Sequence, residues 1–145
     1  MIRRLALEGS WLLALVCLAL FAPVPAHAQD PRATAAQGAA RAWLALVDKG
    51  DVDAAYAASG KKFKEQLDAE GWRAAVAKAR EPLGAFVNRT AVATRFDTKF
   101  PGGPDGDYAQ VLFECEYANG QELHETVTLE RESDGVWRVM GYLIR

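Results

Sequence analysis

Residues 107–129 read DYAQVLFECEYANGQELHETVTL, and the period of that stretch is two. Ala109, Val111, Phe113, Cys115 and Tyr117 fall on one face, with Tyr108, Gln110, Glu114 and Glu116 on the other, the alternation of a half-buried strand. After Asn119-Gly120 it resumes, with Leu123, Val127 and Leu129 against His124, Thr126, Thr128 and Glu130. Two hairpin registers compete. A two-residue Asn119-Gly120 turn is the strongest short-range turn signal, but it pairs Phe113 with Thr126 and Cys115 with His124, an apolar face opposite a polar one. A three-residue loop, Ala118-Asn119-Gly120 with Gly120 left-handed, pairs Val111 with Val127 and Cys115 with Leu123. Register follows the buried face, so the second is expected.

The same reasoning at Ser133-Asp134-Gly135 pairs Leu129 with Val139 and avoids placing Arg131 opposite Arg138. The last strand then turns Trp137, Val139 and Leu143 inward, and Val136, Arg138, Met140 and Tyr142 outward. Residues 85–96 make a further strand with neither face clearly apolar, which predicts a bulge. Upstream the period is helical. Ala36, Ala40, Trp43 and Val47 form one stripe on a helix over about 34–49, with Gly50 as left-handed terminator. Asp51 or Asp53 caps a short helix bearing Val52 and Tyr56. Phe63 and Leu67 continue the pattern, and Asp68 caps a helix presenting Trp72, Ala75, Val76 and Ala79 until Pro82 stops it. Helices over about 34–81 before strands over about 84–145 make an α+β domain. Its N-terminal helices are expected to pack on one face of a curved, mostly four-stranded antiparallel sheet.

The first 28 residues stand apart. Arg3 and Arg4 precede an apolar run from Trp11 to Ala22, and Ala26-His27-Ala28 is an A-x-A cleavage site, so a signal peptide cut after Ala28 is expected. A membrane anchor fits less well, because the run falls short of the roughly 20 residues that span a bilayer. Lipidation at Cys17 lacks the usual small residue where Val16 stands. Loss of Arg3, Arg4 and Glu8 from totals of 17 basic and 19 acidic residues leaves 15 against 18. That balance excludes a strongly basic nucleic-acid binder and a disordered acidic tail. Residues 29–145 should form one domain, periplasmic or secreted, with no membrane span.

Processing also leaves one cysteine, Cys115, and one histidine, His124, which exclude an internal disulfide and a zinc site. Ser59 and Ser133 in turns, with an outward His124, supply no catalytic triad. Cys115 in an apolar strand reads as packing. The segment 101–107, PGGPDGD, lacks calcium-loop spacing and reads as a connection. No metal or cofactor is expected. On the outer face Glu114 lies opposite His124, and Glu130 opposite Arg138, as solvated cross-strand contacts. Glu125 is different, because it falls on the inner face between Leu123 and Val127. The residues support a structural ion pair with Arg89 or Arg80, or else a general base or ligand-binding carboxylate in a cavity. Trp43 and Trp72 read as core, with an aromatic ligand box as the alternative.

The segments WLALVD (43–48) with Gly50, Phe63-Lys64, Trp72, REPLG (80–84) with Arg89, PGGPDGDY (101–108), ETVTL (125–129) and DGVWRV (134–139) with Gly141-Tyr142 together carry a resemblance. The chain resembles a secreted bacterial family known as domain of unknown function 4019, with Tyr56 standing where that pattern has tryptophan. The resemblance implies a cystatin-like or nuclear-transport-factor-2-like cone and brings no catalytic residues. The expected function is an exported, non-catalytic binding or accessory module for a small apolar ligand or an envelope protein, with Glu125, Arg89, Trp43 and Trp72 as candidate binding residues. One alternative is a cone-fold isomerase or hydrolase with Glu125 as base and Tyr117 as donor. Another is a structural homodimer formed through an exposed sheet face.

Overall fold

A computed structural model describes residues 30–145; the expected signal segment and its cleavage site lie outside them. The elements run α1 (Pro31–Asp48), α2 (Val52–Ala58), α3 (Lys61–Gln66), α4 (Ala69–Arg80), a single 3-10 turn (Glu81–Leu83), β1 (Phe86–Asp97), β2 (Tyr108–Tyr117), β3 (Glu122–Arg131) and β4 (Trp137–Ile144). The strands form one antiparallel sheet in the order β1-β2-β3-β4, with the helices on its inner face. The architecture is α+β, as the patterning predicts.

Helix α1 begins three residues earlier than its apolar stripe indicates. Asp30 caps it by accepting from the Arg32 amide at 2.9 Å, and Pro31 occupies the first turn, where a missing N–H costs nothing. Asp51 and Asp68 cap α2 and α4 through the Ala54 and Gly71 amides. The expected stripes meet the sheet. Ala36, Ala40, Trp43, Leu44 and Val47 of α1 are buried against Val111, Phe113, Val127, Leu129 and Val139. On α4, however, only Trp72 is fully buried, and Ala75 is exposed.

Both hairpins take the register that keeps apolar faces together. Val111 pairs with Val127, Cys115 with Leu123 and Leu129 with Val139, while Gly120 and Gly135 both adopt φ of +80°. Strand β1 bulges at two places, between Phe86 and Asn88 and between Ala91 and Ala93, which bends the edge of the sheet.

Two strand faces differ from the simple alternation. Tyr108, assigned outward, is 2% exposed, because its hydroxyl donates to the Pro104 carbonyl at 2.8 Å and Phe100 stacks beside it. The connecting segment before β2 folds back over the outer face at this end. In β4, Leu129 pairs with Val139 but Thr128 with Gly141, so Met140 is the extra residue of a bulge. Beyond it the faces exchange. Tyr142 turns inward opposite Val127, and Leu143 turns out with half of its surface exposed.

Candidate functional site

The inner face carries one group that apolar packing does not explain. Glu125 has no exposed surface, and its register places it between Phe113 of β2 and Ile144 of β4. An isolated carboxylate there would cost several kcal/mol, so partners are obligatory. Four elements, α4, β1, β2 and β4, supply its donors, and α1 adds a second acid between the two arginines. Asp48 is the last residue of α1, Arg80 the last of α4, and Arg89 and Tyr142 project inward from β1 and β4.

The geometry is a closed ring of charge. Arg80 bridges the two acids, with Nη1 2.6 Å from Asp48 Oδ1 and Nη2 2.6 Å from Glu125 Oε1. Arg89 bridges them from the other side, donating from Nε to Glu125 Oε2 and from Nη1 to Asp48 Oδ2 at 2.7 Å. Glu125 Oε1 also accepts from the Tyr142 hydroxyl at 2.6 Å and the Tyr117 hydroxyl at 2.9 Å. Two positive and two negative groups sum to zero. Among the described residues no buried side-chain nitrogen or oxygen lacks a partner.

The electrostatics follow from that arrangement. Burial by itself would push the Glu125 carboxyl up, but the Arg89 hydrogen bond and charge, with Tyr142 and Arg80, outweigh it and hold the group below the ordinary carboxylate range. Burial works against both guanidinium charges as well. The neighbours Tyr142, Asp48 and Glu125 outweigh it at Arg80, Asp48 and Glu125 outweigh it at Arg89, and both stay charged above the usual arginine range. The Tyr117 and Tyr142 phenols are pushed up by burial and then by the Glu125 charge, so they remain donors. The Cys115 thiol, also buried beside Glu125, is pushed up to about 12 and is no nucleophile.

Of the candidate residues, Glu125, Arg89 and Tyr117 come together, and Arg80 joins Arg89 rather than replacing it. Trp43 and Trp72 lie in the adjoining aromatic cluster. Their ring centroids are 5.3 Å apart, and Trp43 is 5.4 Å from Tyr142. Each indole N–H is used internally, Trp43 donating to the Ala55 carbonyl and Ser59 Oγ and Trp72 to the Val52 carbonyl. Tyr56 donates to the Leu67 carbonyl at 3.0 Å. His124 stays at the surface, 3.9 Å from Glu114. Glu130 and Arg138 are register partners, yet their ion pairs go elsewhere: Glu130 to Lys62, and Arg138 to Glu132 and Asp134.

Sequence reasoning missed Asp48 and Tyr142. Each had a signal. A carboxylate on the last turn of a helix opposes the dipole and calls for a cation, which here is a pair of arginines. A glycine inside a strand, Gly141, marks a bulge, and the bulge is what brings Tyr142 inward.

Chemically the cluster binds α1, α4 and all four strands together. Glu125 lines none of the five main cavities among the described residues. No group of three metal-binding side chains occurs among those residues, and none of their helices is long and apolar enough to cross a membrane. Neither the curated proteins nor the solved structures yield a match to this chain. A family model described as protein of unknown function DUF4019 matches residues 39–142, a span holding every member of the charged ring and both tryptophans. The chain therefore belongs to the DUF4019 family.

Proposed function

We propose that the protein is an exported, non-catalytic binding module that seats a small, neutral, apolar group in a groove between α4 and β4. The observation that carries this reading is the groove itself. It encloses about 230 Å³, and apolar and aromatic residues line it, among them Trp72, Ala75, Val76, Ala79, Tyr142 and Ile144. No charged residue borders it. The α4 stripe expected to lie in the core thus stays open at Ala75. The volume lies just under the roughly 300–1,000 Å³ of pockets for drug-sized ligands, and the groove is open along one side, so a flat apolar group can lie along it.

The space between the helices and the sheet does not offer that room, because Trp43, Phe63, Trp72 and Phe113 fill it. An enzyme reading would need Glu125 open to a cavity, with spare hydrogen-bonding capacity. Glu125 is instead enclosed and held by Arg80, Arg89, Tyr117 and Tyr142.

Titration with the neutral dye Nile red tests the groove. Ala75 is exposed on a helix, so Ala75→Arg should leave the melting temperature within about 2 °C of the parent. It should nevertheless weaken dye binding about tenfold or more, by placing a charge in the groove. Equal binding by parent and variant, or none by either, would overturn the assignment.

A further inference from the structure

The outer face of the sheet has a charge pattern that the groove does not use. At one end is an acidic hollow of about 290 Å³ lined by Asn88, Thr90, Glu114, Glu116, Glu122 and His124. Its carboxylates are poorly matched within the chain. Glu116 accepts from Asn88 but lies directly opposite Glu122, a like-charge pair. The cations on the Glu114 row are half-exposed His124, 3.9 Å from Glu114, and Arg145, whose backbone pairs with that of His124. At the other end is a hollow of about 260 Å³ bordered by Arg95, Asp97, Lys99, Gln110 and Thr128 and walled by Phe100 and Pro101 of the connecting segment, with two cations against one acid. Arg95 has only a loose contact there, 3.5 Å from Asp97, and Lys99 has no ion pair among the described residues.

Between the hollows runs an uncharged row across all four strands. Ala93 pairs with Leu112, Leu112 with Thr126 and Thr126 with Leu143, while Val92, in the β1 bulge beside Ala93, is 45% exposed. The flanking rows are equidistant from it. Glu114 and His124 lie two residues to one side, with Thr90 their partner across the β1 bulge, and Arg95, Gln110 and Thr128 lie two residues to the other. A half-turn about an axis along the uncharged row therefore lays the acidic hollow of one copy on the basic hollow of another.

We propose that this face is an isologous interface joining two copies of the chain, with Glu114 and Glu116 of each set against Arg95 and Lys99 of the other. A two-fold contact must be self-complementary, and this patch is. Strand spacing and rise give about 500 Å² of available face per copy. Both copies together reach about 1,000 Å², the floor for a specific interface, so the dimer should be of micromolar affinity. Leu143 borders both this surface and the α4–β4 groove, but the paired charges of the interface lie outside the groove. One copy can carry out both roles.

Sedimentation velocity on the purified protein tests the interface. At low salt, a dimer is expected to form between about 5 and 200 µM and to weaken as salt screens the paired charges. Glu114→Arg and Arg95→Glu should each weaken it about tenfold, and the two together should bring it back to within about threefold of the parent. All four side chains at the proposed contact are on the surface, and a thermal melt of each variant verifies its fold. A monomer throughout, a dimer indifferent to the single swaps, or a double swap without rescue would each overturn the proposal. Nile red binding by the same variants separates the surfaces: dimer loss with dye binding retained concerns the interface alone.

Discussion

Arg89→Met is expected to lower the unfolding free energy by about 3–5 kcal/mol, the usual cost of removing one partner from a buried ion pair. Arg89 is 6% exposed and donates to both Asp48 and Glu125. Without it, two carboxylates share the single cation Arg80, in a site largely shielded from water. For a domain of this size that loss should depress the melting temperature by about 10 °C or more. The loss should also be non-additive. In the double variant Arg89→Met with Glu125→Leu, one charge of each sign is gone and Asp48 with Arg80 remains a simple pair. Urea denaturation should therefore find the double variant less destabilised than the two single costs added, by about 2 kcal/mol or more. A strictly additive result would mean that the ring is not a unit.

Glu125→Gln should cost a similar amount at neutral pH, about 3–5 kcal/mol, and here the cost should depend on pH. The folded-state carboxyl lies below its ordinary value of 4.5, so its contribution is complete above the unfolded value and is lost as pH falls through the folded one. The stability gap between parent and variant should thus be constant from about pH 8 to pH 5 and narrow steadily below about pH 4. Urea midpoints collected across that range measure it. A gap that opened instead of closing on acidification would reverse the sign of the linkage.

Much of this fold was legible in the sequence, and the reasons lie in particular residues. The period-two run from Ala109 to Tyr117, together with glycines at the left-handed loop positions 120 and 135, specified register as well as strand identity. Asp51 and Asp68 announced the helix starts. The errors arose where a nonlocal contact outweighed local alternation. Tyr108 sits at an outward position, but Phe100 and Pro104 fold over it. Tyr142 also sits at an outward position by counting, and the Met140 bulge exchanges the faces. That one bulge separated the carboxylate identified from the sequence from the hydroxyl that completes its coordination. Asp48 was hidden for another reason. Its partners arrive from α4 and β1, which no spacing within α1 reveals.

Glu125 was the charge that ordinary surface solvation could not accommodate, and its role is now specific: a fixed anion that ties α1, α4, β1 and β4 through two arginines. Its Oε1 accepts from Arg80, Tyr117 and Tyr142 and its Oε2 from Arg89, and the phenols around it are held protonated. The most direct measurement is the carboxyl carbon-13 shift of Glu125 in isotopically labelled protein, followed against pH. It should remain that of an ionised carboxylate from about pH 8 down through the ordinary range near 4.5. Titration of Glu125 near neutrality, as a poised general base would show, would contradict the structural role.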